Sequence, residues 1–482
     1  MHGTVGNSKF TQSILDIVNL IDGKSPLQDS LFEEASVFFE NQETDQKRLT
    51  TLDTEIQRLT KAVQSSNKKT ASLSTDALKK AKLKFKKEKD LQEQERLKRL
   101  RRVSEIGEKI IRLSESEDWE KTQTSSARML GTLHLLCPTE GFKVLQTKQR
   151  FKPAYKSILA MRLLDKLLDK NQIDSSYISA RYDPNARYTD ARTELTPFQI
   201  DVAIPIITAA IFQDIGLLHP KAQEILKGRD GKRDEYAVLD KETRIELLKT
   251  NYKYTLEYVK YGLGMEQYVG NSKPERAEFI AKEEQKLKLT VDLLVGAQKP
   301  KNGIGNLIKI PQIYASFIFS AKPDQTLFDL PKAGLLITKA AKQSSLSELA
   351  VDSLLKILGH FPQGYGVTYI AENPDGTKSD SFEYAIVVEL NPENIFEPVC
   401  RIATKNLTFV GNGSTMVIPA KRNLYYPEPR KQLERIDPER LKLILKKLVS
   451  NYEERKDLEL IPSHWDPHTF FQYEKLQNLW KN

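Results

Sequence analysis

The stretch that most restricts how this chain can fold is Ala209-Ala210-Ile211-Phe212-Gln213-Asp214-Ile215-Gly216. Val202, Ile204, Ile206 and Ile207 lead into it at the density of a helix buried on all sides. An acid then follows directly, and Gly216 ends the run. A carboxylate at the inner end of an apolar helix is costly unless it caps a helix, pairs with a cation or binds a metal. Asp214 is expected to meet one of these conditions, and residues 196–307 to form the frame around it.

Composition sets the outer bounds. The 482 residues have room for two to four domains. A hydrophobic share of 39%, with 8% aromatic, is enough for a sizeable core. Only Cys137 and Cys400 are present, which argues against a disulfide framework and fits a reducing cytosol. No apolar run reaches the ~18 residues of a membrane span, and the polar start with Asp16 and Asp22 is unlike a signal peptide. A cytoplasmic protein is the expectation. The formal net charge of +9 is compatible with acidic partners, so where that charge sits matters more than its size.

Taken in order, residues 1–44 read as helical, with Ile14, Ile17, Val18 and Ile21 as an apolar block. Leu49, Leu52, Ile56, Leu59 and Val63 then step by 3, 4, 3 and 4, the heptad spacing of a coiled coil. With a second helix to residue 113, segment 45–113 reads as an antiparallel hairpin, a dimeric coiled coil, or both. The seam is too short to stand alone, so it is expected to take a protein partner or a second copy. The second helix carries a basic run over 79–102. A phosphate-binding face is one reading. A solvated face is preferred, because Glu88, Asp90, Glu93 and Glu95 interleave at helical spacing and Phe85 is the single aromatic. Residues 114–150 form a connector with a short buried helix. Residues 151–360 read as a helical domain, and 361–430 as a small β element with strands near 367–370, 384–390, 399–403, 407–410 and 416–418 and a turn at 373–376. A final helix and an aromatic tail occupy 431–482.

The phrase ending in Gln213-Asp214-Ile215-Gly216 resembles the His-Asp step of the HD-GYP branch of HD-domain phosphohydrolases. Asn251, in a helix beginning near Arg244, stands where that family carries its next histidine. The loop Lys299-Pro300-Lys301-Asn302-Gly303-Ile304-Gly305-Asn306-Leu307 resembles the loop that names the family, with Ala297 and Gln298 in place of its paired histidines and Lys299 in place of its glutamate. Phe361-Pro362-Gln363-Gly364 and Asn391-Pro392-Glu393 resemble the β element often appended to such modules. The likeness spans about 150–430. It implies an HD-like helical bundle and a small C-terminal β element, which with the N-terminal helical hairpin or coiled coil read from the heptad spacing makes a mainly α fold.

The family binds two or three metals through His and Asp or Glu side chains, and a bridging water attacks a phosphodiester. Here Asp214 alone keeps a ligand's chemistry, and one carboxylate cannot hold a binuclear centre. Of the six histidines only His219 lies in the aligned stretch, and it reads as a helix-end residue. His464-Trp465-Asp466-Pro467-His468 has metal-compatible residue types but reads as an exposed loop in a peripheral tail. No cofactor or metal is expected. The function expected is a catalytically inactive scaffold or regulatory binding protein in bacterial cyclic-dinucleotide signalling, with a cyclic dinucleotide as a candidate ligand. The alternatives are a diverged metal-dependent cyclic di-GMP phosphodiesterase and a nucleic-acid-associated scaffold acting through 79–102.

Overall fold

A computed structural model describes residues 4–480 apart from 24–26, 28, 66–70, 139–143, 189–193, 229, 236, 302, 321–324, 344, 373–377 and 449–459. Its helices are α1 (Lys9–Ile21), α2 (Leu31–Ser65), α3 (Ala71–Ser114), α4 (Trp119–Leu135), α5 (Val144–Asp169) and the single turn α6 (Ser176–Ser179). A π turn (Gln199–Ala203) runs into α7 (Ile204–Phe212), and a 3-10 turn (Ile215–Leu218) into α8 (Pro220–Lys227). There follow α9 (Lys241–Glu257) with its terminal π turn (Tyr258–Leu263), α10 (Lys273–Gly296), α11 (Asn306–Ile318), α12 (Ala333–Lys342) and α13 (Glu348–Leu358). Strands β1 (Gly366–Glu372), β2 (Lys378–Val387), β3 (Val399–Ile402), β4 (Thr404–Lys405), β5 (Thr408–Phe409) and β6 (Thr415–Val417) come next, and α14 (Pro427–Leu433), α15 (Pro438–Leu448) and α16 (His468–Phe471) close the chain. The chain is mainly helical with a small antiparallel sheet near its C-terminus. The turn expected at 373–376 lies outside the described residues.

Two compact units divide the chain. Unit 1 is Met1–Asn19, Gly107–Ile211 and Asp292–Asn482; unit 2 is Leu20–Ile106 and Phe212–Val291. The single domain expected over 151–360, and the frame expected over 196–307, are both split between them. The boundaries fall inside α1, α3, α7 and α10, where a continuous helix offers no break in composition.

Unit 1 is built on α5. From Phe151 to Leu168 nearly every side of this helix is covered, and α4, α11 and α13 pack on it. A helix covered on nearly every side sits in a core, and the charges of Arg162 and Asp165 on it are paired there (2.8 Å). The segment expected as a connector over 114–150 contains α4 and the start of α5; α4 is capped by the Asp118 side chain on the Lys121 amide (2.7 Å) and buried from Ala127 through Leu135 apart from Arg128. The sheet runs β1-β2-β3-β6, antiparallel throughout, with Ile370 opposite Phe382 and Ala385 opposite Ile402. One of its faces joins Ile370, Phe382, Tyr384 and Ile386 to Phe470, Phe471 and Leu476 of the tail.

Unit 2 contains the hairpin, which starts earlier than the expected residue 45. Ser30 and Glu33 form a capping box at the head of α2: the Ser30 hydroxyl and amide both donate to the Glu33 carboxylate (2.7 and 3.1 Å). Ion pairs between Arg48 and Glu88 (3.0 Å) and between Arg102 and Glu34 (3.5 Å) align α2 and α3 antiparallel. At the base, Phe38 and Phe39 pack against Tyr258, which also meets Phe212.

Candidate functional site

After α7 the chain turns through Gln213 and Asp214, and Gly216 comes to rest on α9. A Cβ on Gly216 would overlap the Asn251 carbonyl and crowd the Thr255 amide, so only glycine permits this approach. The Gly216 amide donates to the Thr255 hydroxyl (3.1 Å), which donates to Asn251 Oδ1 (3.2 Å); Asn251 Nδ2 donates to the Gln213 carbonyl (3.4 Å). Gln213 and Asn251 are thus adjacent and buried, and both ends of the Asn251 amide are engaged. Asp214 takes the N-cap position of the 3-10 turn, but its side chain makes no capping hydrogen bond there; its main-chain carbonyl accepts from Leu217 (3.1 Å). Its φ of −115° and ψ of 12° lie outside the extended geometry that aims a cap side chain at the first amides.

Ala297, Gln298 and Lys299 belong to unit 1. Ala297 is buried, while Gln298 and Lys299 are exposed. A Cβ on Gly305 would overlap the Gly296–Ala297 peptide, so this glycine serves a backbone crossing. Asn306 then closes the loop. Its Nδ2 reaches the carbonyls of Pro300 (2.9 Å), Lys301 (3.2 Å) and Gly303 (3.0 Å), while Oδ1 accepts from the Ser347 amide (3.1 Å). This role is visible only once the loop is folded. Asn302 lies outside the described residues.

His219 is a helix-end residue, as the sequence suggests. It is the N-cap of α8, with Nδ1 accepting from the Lys221 amide (3.1 Å), and its ring stacks on Tyr254 at 3.3 Å. Burial pushes the imidazole down to about 4, with Lys221 adding to the effect. The folded state therefore favours neutral His219, and its contribution is complete above the unfolded value of about 6.5 and lost as pH falls toward about 4. The protection factors of the α8 and α9 amides, observed exchange relative to the intrinsic rate at each pH, are expected to fall over that window. A His219→Asn variant keeps a cap acceptor and should abolish that fall; an unchanged profile would exclude His219 as its source.

The turn at 464–468 is not the exposed peripheral loop expected. Trp465 is buried, stacked on Tyr384 (4.8 Å), with Nε1 donating to the Ala385 carbonyl (3.0 Å). His468 Nδ1 pairs with the Leu135 carbonyl (3.1 Å), and His134 Nδ1 with that of Gln363 (2.9 Å). His134, Cys137, Lys148, Gln325, His464 and Asp466 line a cavity of about 340 Å3 in unit 1. Burial pushes the Cys137 thiol up to about 12, which keeps it protonated and a poor nucleophile. Among the described residues, no group of three or more His, Cys, Asp and Glu could hold a metal ion.

The most heavily charged interior is one that sequence reading misses. Glu115 and Arg162, each with a side chain 1% exposed, meet Asp165 and Arg187 inside unit 1. Arg187 grips Glu115 with two nitrogens (2.6 and 2.9 Å) and Asp165 with its Nε (2.8 Å). Arg162 donates to Glu115 (2.6 Å), and so does Gln199 (2.9 Å). Burial alone would raise the Glu115 carboxyl, but Arg187 and then Arg162 outweigh it and hold the group well below the usual carboxylate range. Four charges that cancel and hydrogen-bond one another form a structural tie with no catalytic geometry.

The seam residues Leu49, Leu52, Ile56, Leu59 and Val63 are all half-buried, and between them only Thr60 is not fully exposed. Leu49 also lines a groove of about 610 Å3 with Val37, Phe38, Gln92, Arg96 and Tyr261. No helix among the described residues is long and apolar enough to cross a membrane. No protein-family model, no curated protein and no solved structure matches this chain.

Proposed function

We propose that this protein is a non-hydrolytic scaffold or regulatory binding protein on an HD-GYP-like frame, acting in bacterial cyclic-dinucleotide signalling. One observation carries the reading: of the residues at the family's ligand positions, Gln213, Asn251 and Ala297 are engaged in packing, and Gln298 and Lys299 stand exposed with no imidazole among them. Asn251 bridges Gln213 and Thr255, Gly216 lies against α9, and Ala297 is buried beside the Gly305 crossing. Amides and an alanine are poor substitutes for imidazole donors, which a divalent centre needs in fixed geometry. A protein partner, or a second copy, would engage the Leu49, Leu52, Ile56, Leu59 and Val63 stripe and the groove beside it.

The test is a calorimetric titration of the full chain with cyclic di-GMP, with and without Mn2+, alongside a turnover assay. The expected outcome is no hydrolysis in either condition and no dependence of any binding on metal. Turnover abolished by Asp214→Ala would sink the reading in favour of a phosphodiesterase. Sedimentation of Leu52→Asp/Ile56→Asp gives the second readout. An unchanged mass and partner profile would reduce the stripe to internal packing.

A further inference from the structure

The basic run of α3 divides into two halves with different partners. In its C-terminal half the cations are tied up within unit 2. Arg96 holds Glu93 and donates to the Leu263 carbonyl, Arg99 donates to the Gly262 carbonyl (3.0 Å), and Arg101 pairs with Glu266 (3.1 Å). Lys98 and Arg102 both pair with Glu34 (3.6 and 3.5 Å). These groups are structural.

The N-terminal half differs. Lys79, Lys80, Lys82, Lys84, Lys86 and Lys87 are all exposed, and none takes part in an ion pair among the described residues. Of the acids within a turn, Glu88 is held by Arg48 of α2, while Asp76 and Asp90, three or four residues from Lys79, Lys80, Lys86 and Lys87, form no ion pair with them. The neighbouring acids therefore do not pair with these lysines. Ala81, Phe85, Glu88 and Gln92 are the covered positions, at the 3-4 spacing of a single face, which leaves the lysines the rest of the circumference.

We infer that this lysine face binds double-stranded nucleic acid through its phosphates, without reading sequence. A rod of cations rising ~1.5 Å per residue spans several phosphates of a duplex that carries one charge per ~1.7 Å. Phe85, on the covered face, offers no stacking platform, which disfavours a single strand. Leu83 and Leu91 are isolated exposed apolar residues and do not form the continuous apolar face that an interfacial membrane helix requires. The inference is independent of the HD-GYP reading.

The experiment measures binding of the full chain to a short mixed-sequence DNA duplex by fluorescence anisotropy across salt concentrations. Five or six phosphate contacts should give a slope of log K against log salt of about −5. One variant changes Lys79, Lys80, Lys82, Lys84, Lys86 and Lys87 to Gln. A control changes the exposed Lys241, Lys249, Lys260, Lys273, Lys288 and Lys301 to Gln, so both carry a formal net charge of +3 in place of +9. The first should lose at least tenfold in affinity and most of the slope, and the control less than threefold. Equal losses would overturn the inference, because binding would then follow net charge alone. So would absence of duplex binding, or stronger binding to anionic phospholipid vesicles than to the duplex.

Discussion

A chain lacking residues 464–482 is expected to lose the cooperative unfolding transition of unit 1. Trp465, Phe470, Phe471, Leu476 and Leu479 are all buried, and they complete the cluster on Phe382, Tyr384 and Ile386. Burying each such side chain contributes about 1.5–3 kcal/mol, so the five together rival the ~5–15 kcal/mol that stabilises a typical domain. The tail also fastens the opening of the chain. Gln477 accepts from the Ser8 amide (2.7 Å) and the Thr11 hydroxyl (2.8 Å), and donates to the Gly6 carbonyl (2.8 Å). Trp480 donates to the Val388 carbonyl (2.8 Å), and its ring occupies the space a side chain on Gly131 would need. Urea unfolding followed by near-ultraviolet circular dichroism checks this. A truncated chain with an undiminished transition would show that the tail only decorates a core complete without it.

Glu115→Ala should cost about 3–5 kcal/mol, because it leaves Arg162 and Arg187 buried with Asp165 as their one remaining acid. Glu115→Gln, which keeps the shape and one acceptor, should cost less. The effect has a pH signature. The native carboxyl is held below its unfolded value of about 4.3, so its contribution is complete above that pH and falls as the medium is acidified further. The glutamine variant should flatten that acid limb. Trp119, Trp465 and Trp480, the three tryptophans of the chain, all lie in unit 1, so indole fluorescence during urea unfolding isolates the relevant unit. A loss below 1 kcal/mol in Glu115→Ala would mean that water reaches the two guanidinium groups.

The helices and the β element were legible because their signals are local. The apolar approach to Gly216, the apolar block at Ile14–Ile21 and the strand runs at 367–370 and 384–390 depend on residues a few positions apart. The ionic tie was illegible for the opposite reason. Glu115 sits in what reads as a connector and Arg187 in a polar stretch between α6 and the π turn, and charged residues in such places are ordinarily solvated. Their contacts close over 72 residues of chain, and Gln199 reaches Glu115 over 84. The tail misled through its prolines and histidines, although Trp465, Phe470, Phe471 and Leu476 were in plain view. The basic run over 79–102 reads as one feature because residue type does not reveal which cations find partners. At the aligned ligand positions, the substitutions were legible, but what replaced the chemistry was not. That Asn251 bridges and Asn306 closes its loop follows from backbone carbonyls whose positions no residue type announces.

The interrupted make-up of the two units sets an order of events during synthesis. Unit 2 cannot assemble when α2 and α3 leave the ribosome, because its other half, Phe212–Val291, follows only after all of Gly107–Ile211 has been made. Unit 1 must wait longer still, until Gln477 is available to fasten Ser8 and Thr11. From residue 169 to residue 306 the growing chain therefore carries α5, which the finished fold buries on nearly every side, before α11 and α13 exist to cover it. Such long-delayed pairings slow folding and leave sticky surface in the open. Paused translation near residue 291 would separate the two closures in time, because unit 2 is then complete and unit 1 is not.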